Sequence, residues 1–154
     1  MKKLQQSITD TQIWHWIDRT LGIPRKQLGG MAVCPYVKRY REQIAVVKTD
    51  NPVGVVGNFA NMKQLLDLEA VVVYGFSQTK RKNQNMIAKL NQQYAAQDVH
   101  CLFLDHSAKE PPLPVDYLWG KCDLLIAQRA STLEQVQDLL LKNTDYYTYY
   151  TDDV

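Results

Sequence analysis

The run Ala70-Val71-Val72-Val73-Tyr74-Gly75 constrains the fold more than any other segment. A short, unbroken, β-branched stretch of this kind is a strand covered on both faces, since a strand with one face in water alternates apolar and polar residues. It needs strands beside it and helices above and below. Three further strands can be read: Ile44 to Thr49, Val99 to Leu104 and Asp123 to Gln128. Helical signals fall between them. Pro52 can open a helix whose buried side includes Val56, Phe59 and Leu66, and another starts near Ser77 or Thr79 with the stripe Met86, Ile87, Leu90 and Tyr94. After the fourth strand, Ser131-Thr132-Leu133-Glu134 reads as a capping box ahead of the stripe Leu133, Val136 and Leu140.

The N-terminal part is helical. Ile13, Trp14, Ile17 and Leu21 share a helix face with Asp10 as N-cap, Gly22 and Pro24 end it, and His15 points to solvent. Pro35 opens a short basic helix with Cys34 at its N-cap. The expectation is an α/β fold, a mainly parallel four-stranded sheet with flanking helices, in the order β-α-β-α-β-β-α after an N-terminal helix. The segment 105 to 122, with Pro111, Pro112, Pro114 and a helical turn at Val115 to Trp119, decides the layout. If it crosses over, the last strand is parallel and the fold Rossmann-like. If it doubles back, that strand is antiparallel, as in a thioredoxin-like arrangement; a ferredoxin-like α+β fold is the third layout. The length suits one domain over 1–154, comprising a helical segment 1–43, a sheet core 44–142 and a tyrosine-rich tail 143–154. Tyr146 to Tyr150 would add an edge strand.

A formal net charge of +2 gives no general electrostatic case for nucleic acid or a membrane surface. The apolar runs fall far short of the roughly 20 residues of a membrane span. Met1-Lys2-Lys3 is followed by Gln5, Gln6 and Ser7 instead of the apolar core of a signal peptide. Three widely spaced cysteines make a poor disulfide framework, so the expectation is a reduced, cytoplasmic protein.

Ligands of parallel sheets bind beyond the carboxyl ends of the strands. Those ends are Asp50-Asn51, Gly75 to Thr79 and Asp105-His106-Ser107, with Arg129 and Ser131 joining only if the fourth strand is parallel. Lys80, Arg81 and Lys82 occupy the first turn of a helix, where cations are disfavoured unless an anion binds among the free N–H groups. The leading expectation is therefore an anionic small molecule held by Ser77, Thr79, Lys80 and Arg81, with Arg129 and Ser131 in the parallel layout. Asp105 and His106 are available for proton transfer. A solvated basic turn is the bland alternative, and neither a Walker motif nor GxGxxG is present.

Two other classes compete. In a thiol-dependent enzyme Cys34 is the nucleophile, its pKa lowered by the helix N-terminus and by Lys38 and Arg39. Cys34-Pro35-Tyr36-Val37 is similar to the motif of glutaredoxins and glutathione transferases, although Val37 replaces the second cysteine. In an interaction module, Lys38, Arg39 and Arg41 interleave with Tyr36 and Tyr40 to meet a protein or, less in keeping with the charge, single-stranded nucleic acid. No cofactor or metal is expected. His100, Cys101, His106 and Cys122 lack CxxC or HxxxH spacing, and strand alternation separates His100 from Cys101.

Trp14-His15-Trp16-Ile17, then Val33-Cys34-Pro35-Tyr36-Val37-Lys38-Arg39, then the strand from Ile44 to Thr49 resembles the start of a bacterial family without an established activity. Its members carry a tryptophan-led helix followed by an L-C-P-F-A motif. The resemblance spans about residues 13 to 106, with Tyr36 in place of Phe and Ser107 in place of a proline after His106, and it lacks the family's later arginine-serine-proline-tyrosine segment. It adds weight to Cys34, Pro35 and His106 and implies no reaction.

Overall fold

A computed structural model describes residues 8–28, 30–32, 34–107, 119–144 and 146–149. The chain enters at Thr9, whose extended backbone and side chain cap helix α1 (Asp10–Trp16). Thr9 and Gln12 each bond the other's backbone N–H, a reciprocal capping box. The cap is thus Thr9 and not Asp10, whose carboxylate instead accepts a hydrogen bond from the Tyr74 hydroxyl. The helix widens into a π-turn at Ile17–Leu21 and ends at Gly22. Ile13, Trp16 and Ile17 are buried, while His15 faces solvent as expected.

Strands β1 (Pro24–Arg25) and β2 (Met31–Ala32) form a small antiparallel pair. Helix α2 (Pro35–Tyr40) then starts with Pro35 in its first turn and Cys34 at its N-cap. The main elements follow as β3 (Ile44–Lys48), α3 (Pro52–Asn61), β4 (Ala70–Tyr74), α4 (Lys80–Tyr94), β5 (Val99–Leu104), β6 (Leu124–Arg129) and α5 (Ala130–Asn143). Helix α3 stops short of Leu66, which is exposed and not part of its buried side.

The sheet is mixed. Its order is β3-β4-β6-β5, with β3 and β4 parallel and β6 antiparallel to both its neighbours. The sheet is not mainly parallel as expected: among the described residues only one of its hydrogen-bonded pairs, β3 with β4, is parallel. Strand β6 starts at the end of the sheet where β5 stops and runs back between β4 and β5.

Strand β4 is buried at every position, as its composition demands. Val71 and Val73 pack with Val56, Phe59, Met86 and Leu90 beneath α3 and α4. Ala70, Val72 and Tyr74 pack on the other face with Ile13, Trp16, Tyr36 and Val37. Burying a single side chain of this kind contributes roughly 1.5–3 kcal/mol.

The capping box at Ser131 to Glu134 does not form. Helix α5 begins at Ala130, and its free N–H groups are met from another element. Asp98, in the left-handed region at φ 63°, accepts from the Ala130 N–H through its carbonyl and from the Ser131 N–H and hydroxyl through its carboxylate. Tyr146–Tyr149 is a 3-10 turn and not an edge strand. Tyr150, Val33 and most of the turn expected at Val115 to Trp119 lie outside the described residues.

Candidate functional site

Strands β3, β4 and β5 point the same way, so their carboxyl ends share one edge of the sheet with the amino end of β6. Gly75 turns the chain out of β4 at φ +95°, where a Cβ would stand 2.8 Å from the Lys48 side chain; glycine alone suits that position. The turn leads to Thr79, whose hydroxyl accepts from the Lys82 N–H and caps α4. Lys80, Arg81 and Lys82 then fill the first turn of α4, exposed as the sequence implied, and Ser77 is exposed beside them.

The antiparallel ladder assembles the chemistry. Leu104 pairs with Leu124, so Asp105 and Asp123 flank the last rung of β5 and β6. His106 sits over them. Its backbone N–H donates to Asp123 Oδ1 at 2.9 Å, and its ring Nδ1 lies 2.6 Å from the same oxygen and 3.7 Å from Asp105 Oδ1. Asp105 Oδ1 also accepts from the N–H and hydroxyl of Ser107. The two carboxylate side chains are 24% and 11% exposed and the imidazole 58%, so the ring is the member of the cluster most open to solvent.

Charge and hydrogen bonding act together here. The Asp123 hydrogen bond and charge hold the His106 imidazolium above its ordinary pKa, aided by Asp105. The Ser107 hydrogen bonds, followed by the charges of His106 and Lys80, hold the Asp105 carboxyl below its ordinary value. Behind the cluster Asn83, only 2% exposed, donates through Nδ2 to Asp123 Oδ2 at 3.2 Å. Its Oδ1 is buried and has no hydrogen-bond partner among the described residues. Such an arrangement can exchange a proton through His106 or coordinate a cation through three donor atoms.

On the other flank of α4 a cleft of about 480 Å³ opens against the start of α3. Asp50, Asn51, Gln78, Lys82 and Lys89 supply its polar lining, and Met86 part of its apolar wall. The Gln78 Oε1 is buried and likewise unpartnered among the described residues. Lys82 in the cleft and Asn83 in the cluster are consecutive, so one turn of α4 presents the two features on different faces.

Other expected residues go elsewhere. Because β6 is antiparallel, Arg129 and Ser131 lie at the opposite edge of the sheet from His106. Arg129 is a structural tie, donating to the carbonyls of Leu68, Phe59 and Leu65 and stacking 3.7 Å from the Phe59 ring centroid. Ser131 is engaged by Asp98. Burial pushes the Cys34 thiol up, and the backbone N–H groups of Tyr36 and Val37 offset only part of that rise. This is opposite to the shift that a thiol nucleophile needs.

The basic segment from Cys34 to Arg41 is engaged in part by the fold. Tyr36 is buried with its hydroxyl on the Glu69 carbonyl, and Arg41 pairs with Asp18 while stacking on Trp14. Of its charges, Lys38 and Arg39 remain exposed. His100 is exposed on β5, Cys101 is buried in the core, and Cys122 accepts from the Trp119 indole N–H; none of the three joins His106.

Sequence reasoning missed Asp123, Asn83, Gln78 and Lys89. Asp123 was within reach, because the doubled-back layout places the residue before β6 opposite the residue after β5. The burial of Asn83 has no comparable local signal in a run of polar residues. No helix among the described residues is long and apolar enough to cross a membrane. No protein-family model, curated protein or solved structure matches the chain.

Proposed function

We propose that the chain binds an anionic small molecule in the cleft at the carboxyl ends of β3 and β4. The observation that carries this reading is the pair Lys82 and Lys89 on one wall of a cleft of about 480 Å³, a volume suited to a small ligand. Both ammonium groups favour a phosphate or carboxylate, and Asp50 disfavours a ligand that is anionic throughout. The unpartnered Gln78 Oε1 favours a ligand that also carries a hydroxyl or amine donor. Lys80 and Arg81, exposed in the same first turn as Lys82, add to the attraction, while Thr79 and Ser77 shape the turn that presents them. His106 and Asp105, the pair expected to transfer protons, do not line this cleft and take no part in this reading. The three cysteines are free thiols, in keeping with a reducing, cytoplasmic setting.

A thermal-shift panel of sugar phosphates, nucleotides and small carboxylates tests the reading. At 100 times its dissociation constant a ligand adds about 2.7 kcal/mol, a rise of several degrees for a chain of this size. The rise is expected to vanish in Lys82→Glu combined with Lys89→Glu. A shift that survives in that variant, or a panel with no shift at all, overturns the cleft as the site.

A further inference from the structure

We propose that Asp105, His106 and Asp123 form a site for one divalent cation of borderline softness, with Zn²⁺ the best match. One ligand atom from each residue lies within 4.8 Å of the others. Zinc bound at about 2.0–2.2 Å by nitrogen and oxygen in a tetrahedron separates neighbouring donors by roughly 3.4 Å. The distance from His106 Nδ1 to Asp105 Oδ1 is already 3.7 Å, and the 2.6 Å distance to Asp123 Oδ1 must open by less than 1 Å. The ion takes the place of the proton that His106 and Asp123 share. Two carboxylates supply the negative charge, against which Lys80 is the cation felt at Asp105.

The second observation is Asn83. A side chain 2% exposed, anchored to Asp123 by its Nδ2, leaves its Oδ1 without a partner among the described residues. A buried acceptor of this kind normally has a donor. Three protein ligands leave a fourth position for water, and a metal-bound water is a donor suited to Oδ1. The imidazole favours Zn²⁺ over Mg²⁺, which prefers an all-oxygen shell. The backbone supports the geometry, since the β5–β6 ladder fixes Asp105 and Asp123 and the His106 N–H bond fixes the third ligand.

The inference is independent of the cleft ligand. Calorimetric titration of the chelator-treated full chain with Zn²⁺ tests it. One ion per chain is expected, with affinity reduced at least tenfold in both His106→Ala and Asp105→Asn. His100→Ala, a change at an exposed histidine of β5, is expected to leave the affinity unaltered, and so is Lys82→Glu with Lys89→Glu, which separates the two readings. His106 is exposed and Asp105→Asn is close to isosteric, and the circular dichroism melt of each variant confirms its fold. Absence of zinc binding by the native chain, or binding that His106→Ala and Asp105→Asn leave intact, overturns the site.

Discussion

His106 is held by two carboxylates and open to solvent, so its titration in the metal-free chain is a direct probe of the cluster. Asp123 and Asp105 face it, and Lys80 is the nearby cation felt at Asp105. The folded state holds the protonated ring better than the unfolded chain does. Its contribution to stability is therefore complete below the ordinary histidine value of 6.5 and is lost as pH rises through the higher folded value. Asp105 behaves in the opposite sense: its contribution is present above 3.8 and is lost as pH falls through its lowered folded value. An NMR titration of the imidazole protons should give a midpoint above 6.5, and Asp123→Asn should return it towards that value. A midpoint at or below 6.5 in the native chain contradicts the described contact.

At the scale of elements, α5 shows where local sequence rules yield to tertiary ones. Ser131 and Glu134 have the spacing of a capping box, yet Ser131 gives both its donors to Asp98. A carboxylate at a helix N-terminus also meets the positive end of the helix dipole, which a neutral hydroxyl does less well. Asp98 serves twice, because its φ of 63° is a conformation that aspartate tolerates and alanine resists. Asp98→Ala should cost about 2 kcal/mol and Asp98→Gly about 1 kcal/mol, measured by urea denaturation, since glycine loses the cap and keeps the backbone. An equal loss in both would remove the backbone part of the argument. What the sequence announced well was periodicity. Ala70 to Tyr74 had to be a central strand, and the Met86, Leu90 and Tyr94 stripe had to face it. The direction of β6 was not legible, because a proline-bearing connection of this length can either cross a sheet or return beside it. The site inherited that ambiguity: Arg129 and Ser131 changed ends, and Asp123 arrived in their place.

Across the whole molecule, Arg129 links parts that are distant in sequence. It reaches the end of α3, the turn at Lys63–Leu65 and Leu68 before β4, all from the last residue of β6. Burial lowers its pKa from the ordinary guanidinium value, an effect opposed by the charges of Glu69 and Asp98. Arg129→Leu leaves three carbonyls without that donor. It should destabilise by about 3 kcal/mol, seen as a fall in Tm of roughly 6–12 °C, while Arg129→Lys recovers part of the loss. A Tm within 2 °C of native, roughly 1 kcal/mol or less, would falsify the structural assignment.

The central place of β6 also sets an order of events during synthesis. Among the described residues, the strand made last in the sheet is the only hydrogen-bonded neighbour of β5 and one of two for β4. A nascent chain that has emerged only as far as β5 can zip β3 to β4 and dock α3 and α4. It holds Asp105 and His106 without their organising carboxylate, and two strand edges stay open to wrong partners. Residues 123–129 therefore close the sheet and complete the Asp–His–Asp cluster together, so the cluster cannot exist in a chain that has not yet reached β6.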